Sequence, residues 1–322
     1  MKFGVLLPQG WKLEYPLDMD PRDQWKTIVN VVMKTDELGY DHIWVYDHFH
    51  TRHGPLPGRS MFDAWTLVTA LAPITKKVRL GTLVTCNLFR NPAYLAKISS
   101  IVDVISDGRL ELGIGAGWDE HEFRAYGYDF PKLRTRVEML EEAVQIIKLM
   151  WTQEDVHFDG KYYKLDGALN SPKPLQKPHP PILIGGGGEK YLLKVVAKYA
   201  NKWNIPSNYE EYAAKLKILQ DRCSLVGRNF HDIVLTWETT TIIDRKEEEV
   251  KRKFEGYTAD KMGGMKYEVR KNKGLLGAPE EIVEKLKKFE ALGIQEVIMY
   301  FPCAAEFTEL ELFRDEVIKK LR

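Results

Sequence analysis

Hydrophobic positions along the chain follow two patterns: short continuous apolar runs, and longer stretches in which apolar residues recur every three or four positions. Continuous runs are typical of strands covered on both faces, and the periodic stretches are typical of amphipathic helices. The predicted strands are residues 3–8, 42–46, 78–84, 109–115, 181–185, 202–206, 233–243 and 296–301. The clearest predicted helices are residues 24–39, 92–106, 136–151, 190–200 and 279–293. Eight strands alternating with helices predict an α/β fold, a closed TIM (β/α)8 barrel that occupies residues 1–322 as a single domain.

Three segments interrupt this alternation, and we expect them at the C-terminal mouth of the barrel. Residues 47–60 are rich in His, Gly, Pro and Arg, and residues 152–180 begin with a pattern that predicts a hairpin. Residues 244–278 are highly charged. That composition fits either a solvated face or a lid and substrate wall over the mouth.

Composition and charge narrow the possible partners. The net charge of +1 provides no basic field for nucleic acid or an anionic membrane, and no apolar stretch reaches the length of a membrane span. Three widely spaced cysteines argue against a disulfide framework and favour a reducing compartment. We therefore expect a cytoplasmic protein that acts on a small molecule.

Candidate chemistry follows the second predicted strand, because barrel enzymes carry their sites where strands end. Asp47 and His48 stand there, and a histidine can exchange a proton near neutral pH while a carboxylate orients it or binds a ligand. The alternative is a loop histidine satisfied by the backbone, which is the interpretation adopted for His50 and His53. A metal site is not expected, because the ends of the fifth, sixth and eighth strands supply no histidine or carboxylate.

Other strand ends carry residues with open roles. Cys86 has no partner histidine nearby in sequence, so a small lining residue is favoured over a nucleophile. Arg90 can bind an anion or brace the next helix, and Trp118 can form an aromatic wall or pack in the core. Residues 185–188 are four glycines before a helix, a pattern that suits a phosphate site or simply a tight turn, and Glu189 weakens the positive field there.

Several segments, in this order, carry a resemblance to a known family. They are "GYDHIWVYDHF", "SMFDAWTLVTALAPITKKVRLGTLV", "FRNPAYLAK", "SDGRLELGIGAGWDEHEFRAYG", "PKPLQKPHPPILIGGGGEKYL" and "APEEIVEKLKKFEALGIQEVIMYF". Together they resemble the luciferase-like monooxygenase superfamily, most closely its coenzyme F420-dependent oxidoreductase branch. The resemblance implies a TIM-like barrel that binds a flavin or deazaflavin at its C-terminal mouth.

The resemblance also implies roles for individual residues. His48 would handle the proton beside the reactive edge of the ring, and Asp47 would bind the ring or its neighbours. A cis peptide between Leu83 and Val84 would back the central ring. The remaining implied cofactor contacts are Cys86, Ala116, Gly117, His121 and the turn formed by Gly186, Gly187, Gly188 and Glu189.

The resulting hypothesis is hydride transfer between coenzyme F420 and a small organic substrate, such as an alcohol or carbonyl or an activated C=C or C=N bond. Two alternatives remain open: an FMN-dependent monooxygenase supplied by a flavin reductase, and a non-catalytic flavin-binding homologue. The related sugar-phosphate dehydrogenases carry a glutamate where this chain has Trp118, which argues against a sugar phosphate. Analogy with the family favours a homodimer.

Overall fold

The computed structural model describes residues 1–52, 54–261 and 266–322, with the side chains of residues 258–261 excluded. His53 lies outside the described residues. The strands are β1 (Lys2–Leu6), β2 (His42–Val45), β3 (Arg79–Thr82), β4 (Thr85–Cys86), β5 (Leu110–Gly115), β6 (Val156–Asp159), β7 (Lys164–Ala168), β8 (Ile182–Gly185), β9 (Lys202–Pro206), β10 (Val234–Ile243), β11 (Leu275–Gly277) and β12 (Glu296–Tyr300).

Eight of these strands close into a parallel barrel, which confirms the predicted fold class. Their order around the barrel is β1-β2-β3-β5-β8-β9-β10-β12, and β12 pairs with β1 to close the ring. Each predicted strand matches one of the eight. In this order β8 is four strands from β1 in either direction, so the two strands face each other across the barrel.

The helices surround the barrel. They are α1 (Pro21–Glu37), α2 (Ala64–Leu71), α3 (Pro92–Ile105), α4 (Glu120–Ala125), α5 (Leu133–Thr152), α6 (Leu192–Tyr199), α7 (Tyr209–Leu225), α8 (Glu247–Lys261), α9 (Tyr267–Lys273), α10 (Pro279–Ala291), α11 (Thr308–Phe313) and α12 (Lys319–Leu321). Proline opens α1, α3 and α10, where its missing N–H costs no hydrogen bond. In the described part of the chain, none of the helices is both long and apolar enough to cross a membrane.

Two of the three interrupting segments carry secondary structure of their own. Strands β6 and β7 form the predicted antiparallel hairpin. Residues 244–278 contain α8, α9 and β11, and β11 extends the sheet by pairing with the end of β10. Val250 and Phe254 of α8 are buried against Ile242 and Leu276, so α8 is anchored by an apolar cluster.

A tryptophan fills the barrel interior, and two glycines make room for it. Trp44 of β2 is fully buried. A Cβ on Gly81 would lie 2.3 Å from the Trp44 ring, and a Cβ on Gly4 would lie 2.8 Å from its indole nitrogen. Any larger residue at these positions would displace the indole, which packs with Leu6, Leu183 and Ile298 in the same apolar cluster.

Buried charged side chains form a cluster at the N-terminal end of the barrel, where the strands begin. This end is opposite the mouth. Lys202 Nζ lies 2.7 Å from Glu111 Oε2 and 2.8 Å from Glu296 Oε2. Arg79 Nε donates to Glu111 Oε1 at 2.5 Å, and His42 Nε2 lies 3.2 Å from the same oxygen. Buried charged groups need partners of opposite charge in this way, because an unpaired charge in a low-dielectric interior is costly.

His42, Glu111 and Glu296 place donor atoms close enough together to hold a metal ion. The ammonium group of Lys202 already bridges both carboxylates, however, and supplies the positive charge that an ion would bring. The geometry therefore favours a salt-bridge cluster at this end of the barrel over a metal centre.

Candidate active site

A cavity of about 420 Å³ lies where the barrel strands end. Such a position is typical of the active sites of TIM barrels. The structure places seven of the predicted site residues on its wall: Asp47, His48, Leu83, Val84, Cys86, Gly117 and Gly186.

The imidazole of His48 is held between aromatic rings and a carboxylate. It stacks on Trp11 with the ring centroids 4.7 Å apart and the planes 10° from parallel. Its Nδ1 lies 2.8 Å from Glu122 Oε2. In the described part of the chain, no hydrogen bond involves His48 Nε2, so this nitrogen is available to a ligand in the cavity.

Glu122 determines which nitrogen of His48 carries the proton. Burial acts to raise the pKa of Glu122, but hydrogen bonds from His48 and from the backbone N–H groups of Phe49 and His50 outweigh it and lower the pKa. An ionised carboxylate only accepts hydrogen bonds, so Nδ1 must be the donor. In the neutral ring Nε2 is then left as a proton acceptor on the cavity side.

Asp47 is engaged by the protein. Its Oδ2 accepts a hydrogen bond from Arg90 at 2.7 Å and from the Cys86 N–H at 2.9 Å, and its Oδ1 accepts a second one from Arg90 at 3.0 Å. Burial raises the pKa of Asp47, whereas Arg90 and the Cys86 N–H favour its ionised form. The carboxylate that orients His48 is thus Glu122, and Asp47 fixes the loop after β4.

Arg90 braces the start of a helix, one of the two roles left open by the sequence, but the helix is the preceding α2 and not the next helix, α3. Besides Asp47, its guanidinium lies 3.2 Å from Asp63. Asp63 caps α2 by accepting a hydrogen bond from the Thr66 N–H. Arg90 thereby ties the loop after β4 to the start of α2.

Cys86 lies on the wall as a neutral thiol. Burial, followed by the nearby negative charge of Asp47, raises the pKa of the Cys86 thiol to about 12. A thiol with this pKa is not an activated nucleophile. This result supports the interpretation of Cys86 as a small lining residue.

The bulge after β3 presents an apolar surface to the cavity. The Leu83–Val84 peptide is cis, as the family resemblance implied. Glycines on the neighbouring strands accommodate the Val84 side chain: a Cβ on Gly115 or Gly185 would lie 2.7 Å or 2.8 Å from it. Gly117 has φ of +75°, and a Cβ there would lie 2.9 Å from Cys86 Sγ.

The turn at residues 186–189, called the glycine turn below, reaches the cavity only at its first residue. Gly186 lies on the wall with φ of +120°. Gly187, Gly188 and Glu189 lie beyond it, and the last two are exposed. Lys215 Nζ of α7 contacts Gly187 O at 2.9 Å and Glu189 Oε1 at 3.0 Å, and so adds a positive charge beside the turn.

Four further residues that the sequence analysis discussed lie on or near this wall. Ala116 is buried and His121 is exposed, with its ring 5.6 Å from the ring of His50. His50 belongs to the loop, where its Nδ1 lies 2.8 Å from Thr51 O. Trp118 is 61% exposed and contacts His48 edge-on, so it forms an aromatic wall; core packing, the alternative, is wrong.

Sequence reasoning missed Glu122 and Trp11, the two residues that position His48. A signal for Glu122 was present, since Asp119 followed three residues later by Glu122 matches the start of a helix, and Asp119 indeed accepts from the Glu122 N–H. That pattern predicts a helix cap but says nothing of a contact with residue 48. No local pattern marks Trp11.

The chain is similar to known proteins first in its fold and then in its sequence family. The structure is similar to the monooxygenase RslO1 from Streptomyces bottropensis, with a TM-score of 0.82 and 21% identity over 100% of both chains. It is also similar to the coenzyme F420-dependent tetrahydromethanopterin reductase from Methanopyrus kandleri, with a TM-score of 0.80 and 20% identity over 100% of this chain and 99% of that one. The chain therefore has the barrel fold shared by these redox enzymes.

The luciferase-like monooxygenase family model matches residues 1–296, and the chain belongs to this family. An F420-dependent glucose-6-phosphate dehydrogenase from Amycolatopsis mediterranei is 28% identical, over 94% of this chain and 95% of the relative. The expected family is thus confirmed, and the chain is an oxidoreductase.

Proposed function

We propose that this protein transfers a hydride between coenzyme F420 and a small organic substrate, with His48 as the proton donor or acceptor. The observation that carries the proposal is the setting of His48. Glu122 holds its Nδ1, Trp11 stacks on its ring, and its Nε2 is left for a ligand in the cavity. A relative that matches along nearly its whole length is named as F420-dependent, which supports the same cofactor.

The residues present suit a tricyclic ring with a phosphate-bearing tail. Leu83 and Val84 supply an apolar surface for the ring, and Gly117 and Gly186 let the backbone come close to it. The glycine turn and Lys215 supply N–H groups and a positive charge for the phosphate. Ser207 Oγ is buried on the same wall without a partner in the described residues, as expected for a group that binds a ligand.

When bound, the deazaflavin exchanges a hydride with the substrate. His48 Nε2 takes the hydroxyl proton as an alcohol is oxidised to a carbonyl, and it returns a proton to the oxygen in the reverse direction. Glu122 stabilises the imidazolium that forms, because its ionised carboxylate remains on Nδ1. Trp11 and Trp118 border His48 and restrict water at its ring.

The cofactor assignment is tested by equilibrium binding of the purified protein to F420 and to FMN, side by side. We expect clear preference for F420, followed by turnover of alcohols or enones. Preference for FMN would contradict the proposal and direct the search to a monooxygenase with a flavin-reductase partner. Binding of neither would overturn the cofactor assignment as a whole.

Glu122→Gln is expected to lower kcat by about ten- to a hundredfold and to leave cofactor affinity and KM nearly unchanged. The amide would keep its oxygen on the Phe49 and His50 N–H groups and present its NH₂ to His48. Nδ1 must then accept a hydrogen bond, and the proton moves to Nε2, which is the wrong form for a base. Steady-state kinetics with saturating cofactor measure kcat and KM separately. A fall in cofactor affinity that parallels the fall in kcat would indicate a structural role only.

A further inference from the structure

Four positively charged side chains line the same cavity. Lys273, at the end of α9, lies 3.7 Å from Glu211, and the other three lie on one side of the cavity. These three are Lys12 from the loop after β1, Arg52 from the loop after β2 and Arg270 from α9. We call them the cation cluster. On this side of the cavity, Glu238 is the one carboxylate among the described lining residues, and it already accepts a hydrogen bond from Tyr46. Among the described lining residues on this side, positively charged side chains therefore outnumber carboxylates.

Lys12 is the most deeply placed member of the cluster. It is only 7% exposed, and its Nζ lies 3.8 Å from the ring centre of Tyr300, 5.1 Å from that of Tyr46 and 5.8 Å from that of Trp11. In the part of the chain that the structure describes, Lys12 Nζ donates no hydrogen bond to an oxygen. Aromatic faces stabilise a buried cation only in part, so this ammonium group retains unused donors.

The electrostatics agree with this placement. Burial lowers the pKa of Lys12 to about 8; Glu238 and Glu14 act to raise it, and the charges of Arg52 and Arg270 lower it further. The three cations thus repel one another in the free protein. An anion bound among them would relieve both the repulsion and the missing hydrogen bonds.

The cation cluster is remote from the part of the mouth that suits the cofactor phosphate. Lys12 follows β1, whereas the glycine turn follows β8, and these strands face each other across the barrel. Arg270 follows β10, two strands from β1 and on the side away from β3. His48, which follows β2, lies between the two regions, as a group that acts on the substrate should.

We propose that the substrate is an organic oxyanion, a carboxylate or phosphate ester with an apolar body, whose charged group binds the cation cluster. This inference rests on the proposed function, because it places the substrate on the His48 side of the cofactor. The charged group binds Lys12 Nζ and the guanidinium groups of Arg52 and Arg270, while Trp11 and Trp118 flank the apolar body. Charge-assisted hydrogen bonds of this kind give specificity for the anion over a neutral isostere.

The test compares benzoate, phenyl phosphate and the neutral benzamide by calorimetric titration into the F420-loaded protein and into the free protein. We expect at least one of the two anions to bind about tenfold or more tightly than benzamide. In Lys12→Met, which keeps the length and volume of the side chain, the preference should fall below about threefold. Arg52→Gln, at an exposed position, should weaken it in the same direction.

Lys217→Met is the matched control, since it removes one charge from the exposed face of α7 and should leave the preference unchanged. Equal affinity for the anions and benzamide would overturn the inference, as would a preference that survives both Lys12→Met and Arg52→Gln. Loss of F420 binding with the anion preference intact would instead overturn the proposed function and leave the anion site standing. The two hypotheses therefore fail in different ways.

Discussion

His48→Ala is expected to lower kcat by about 10²- to 10⁴-fold, the range typical of a lost general acid or base. The imidazole is the group on the cavity wall whose Nδ1 is held by a carboxylate while Nε2 is left for a ligand. Alanine removes the proton carrier but leaves the apolar surface at Leu83 and Val84 and the glycine turn in place. Cofactor affinity should therefore change by less than about threefold, because the binding surfaces are retained.

The measurements are single-turnover rates with saturating cofactor and a fluorescence titration of F420. His157→Ala is the matched control, because His157 is 60% exposed on the β6–β7 hairpin and should change neither quantity. If His48→Ala lowered cofactor affinity as much as the rate, His48 would be a structural ligand of the cofactor. A normal rate in His48→Ala would remove it from the mechanism altogether.

Lys202→Met is expected to destabilise the protein by about 3–5 kcal/mol, the cost typical of removing one partner from a buried ion cluster. Lys202 Nζ bridges Glu111 and Glu296, and each of these side chains is at most 7% exposed. Methionine fills a similar volume but removes the positive charge that the carboxylates of Glu111 and Glu296 share. The shift in the midpoint of denaturant unfolding, followed by tryptophan fluorescence, measures the loss.

The chain offers a matched control on the same carboxylate. Lys2 Nζ lies 3.7 Å from Glu296 Oε1 but is 56% exposed, so Lys2→Met should cost about 0–1 kcal/mol. Equal effects of the two variants would mean that burial of the Lys202 ammonium does not matter. Such a result would contradict the electrostatic account of this end of the barrel.

The cost of Lys202→Met should also depend on pH. Burial acts to raise the pKa of Glu111, but the charges of His42 and Lys202 outweigh it and hold the pKa well below its usual range. A carboxyl group with a depressed pKa stabilises the fold above its ordinary pKa, and the contribution is lost as the pH falls through the depressed value. In the variant Glu111 lacks the Lys202 charge and takes up a proton at a higher pH, so the penalty should shrink as the pH approaches 4 from about 7.

Glu122 and the cation cluster together divide the mouth into regions with different chemistry. Glu122 and the backbone around it create a fixed acceptor for His48, whereas Lys12 and Arg52 provide donors for an anion. Residues 244–278 contribute Arg270 and Lys273 to the cavity wall, so part of the segment faces the cavity; its role as a substrate wall stays a prediction. Substrate choice would then depend on the segment with the least resemblance to the family.

The sequence by itself determined the barrel and the strand ends that carry chemistry. Strands buried on both faces must be continuously apolar, and helices covered on one face must carry apolar residues at helical spacing. Both patterns can be recognised from residues that are close together in the sequence. For the same reason Asp47, His48 and Cys86 could be placed at the mouth from the strands that precede them. The glycine turn was located from a run of four glycines before a helix.

Only the tertiary structure decided which of these residues act together. Glu122 reaches His48 across 74 residues, and Lys202 meets Glu296 across 94, so no local spacing encodes either contact. Lys12, an ordinary charged residue in sequence, becomes a buried cation because closing the barrel brings Tyr46 and Tyr300 around it. The chain's local patterns specify secondary structure and strand ends, whereas partners and charge balance at a site depend on distances that exist only once the barrel is closed.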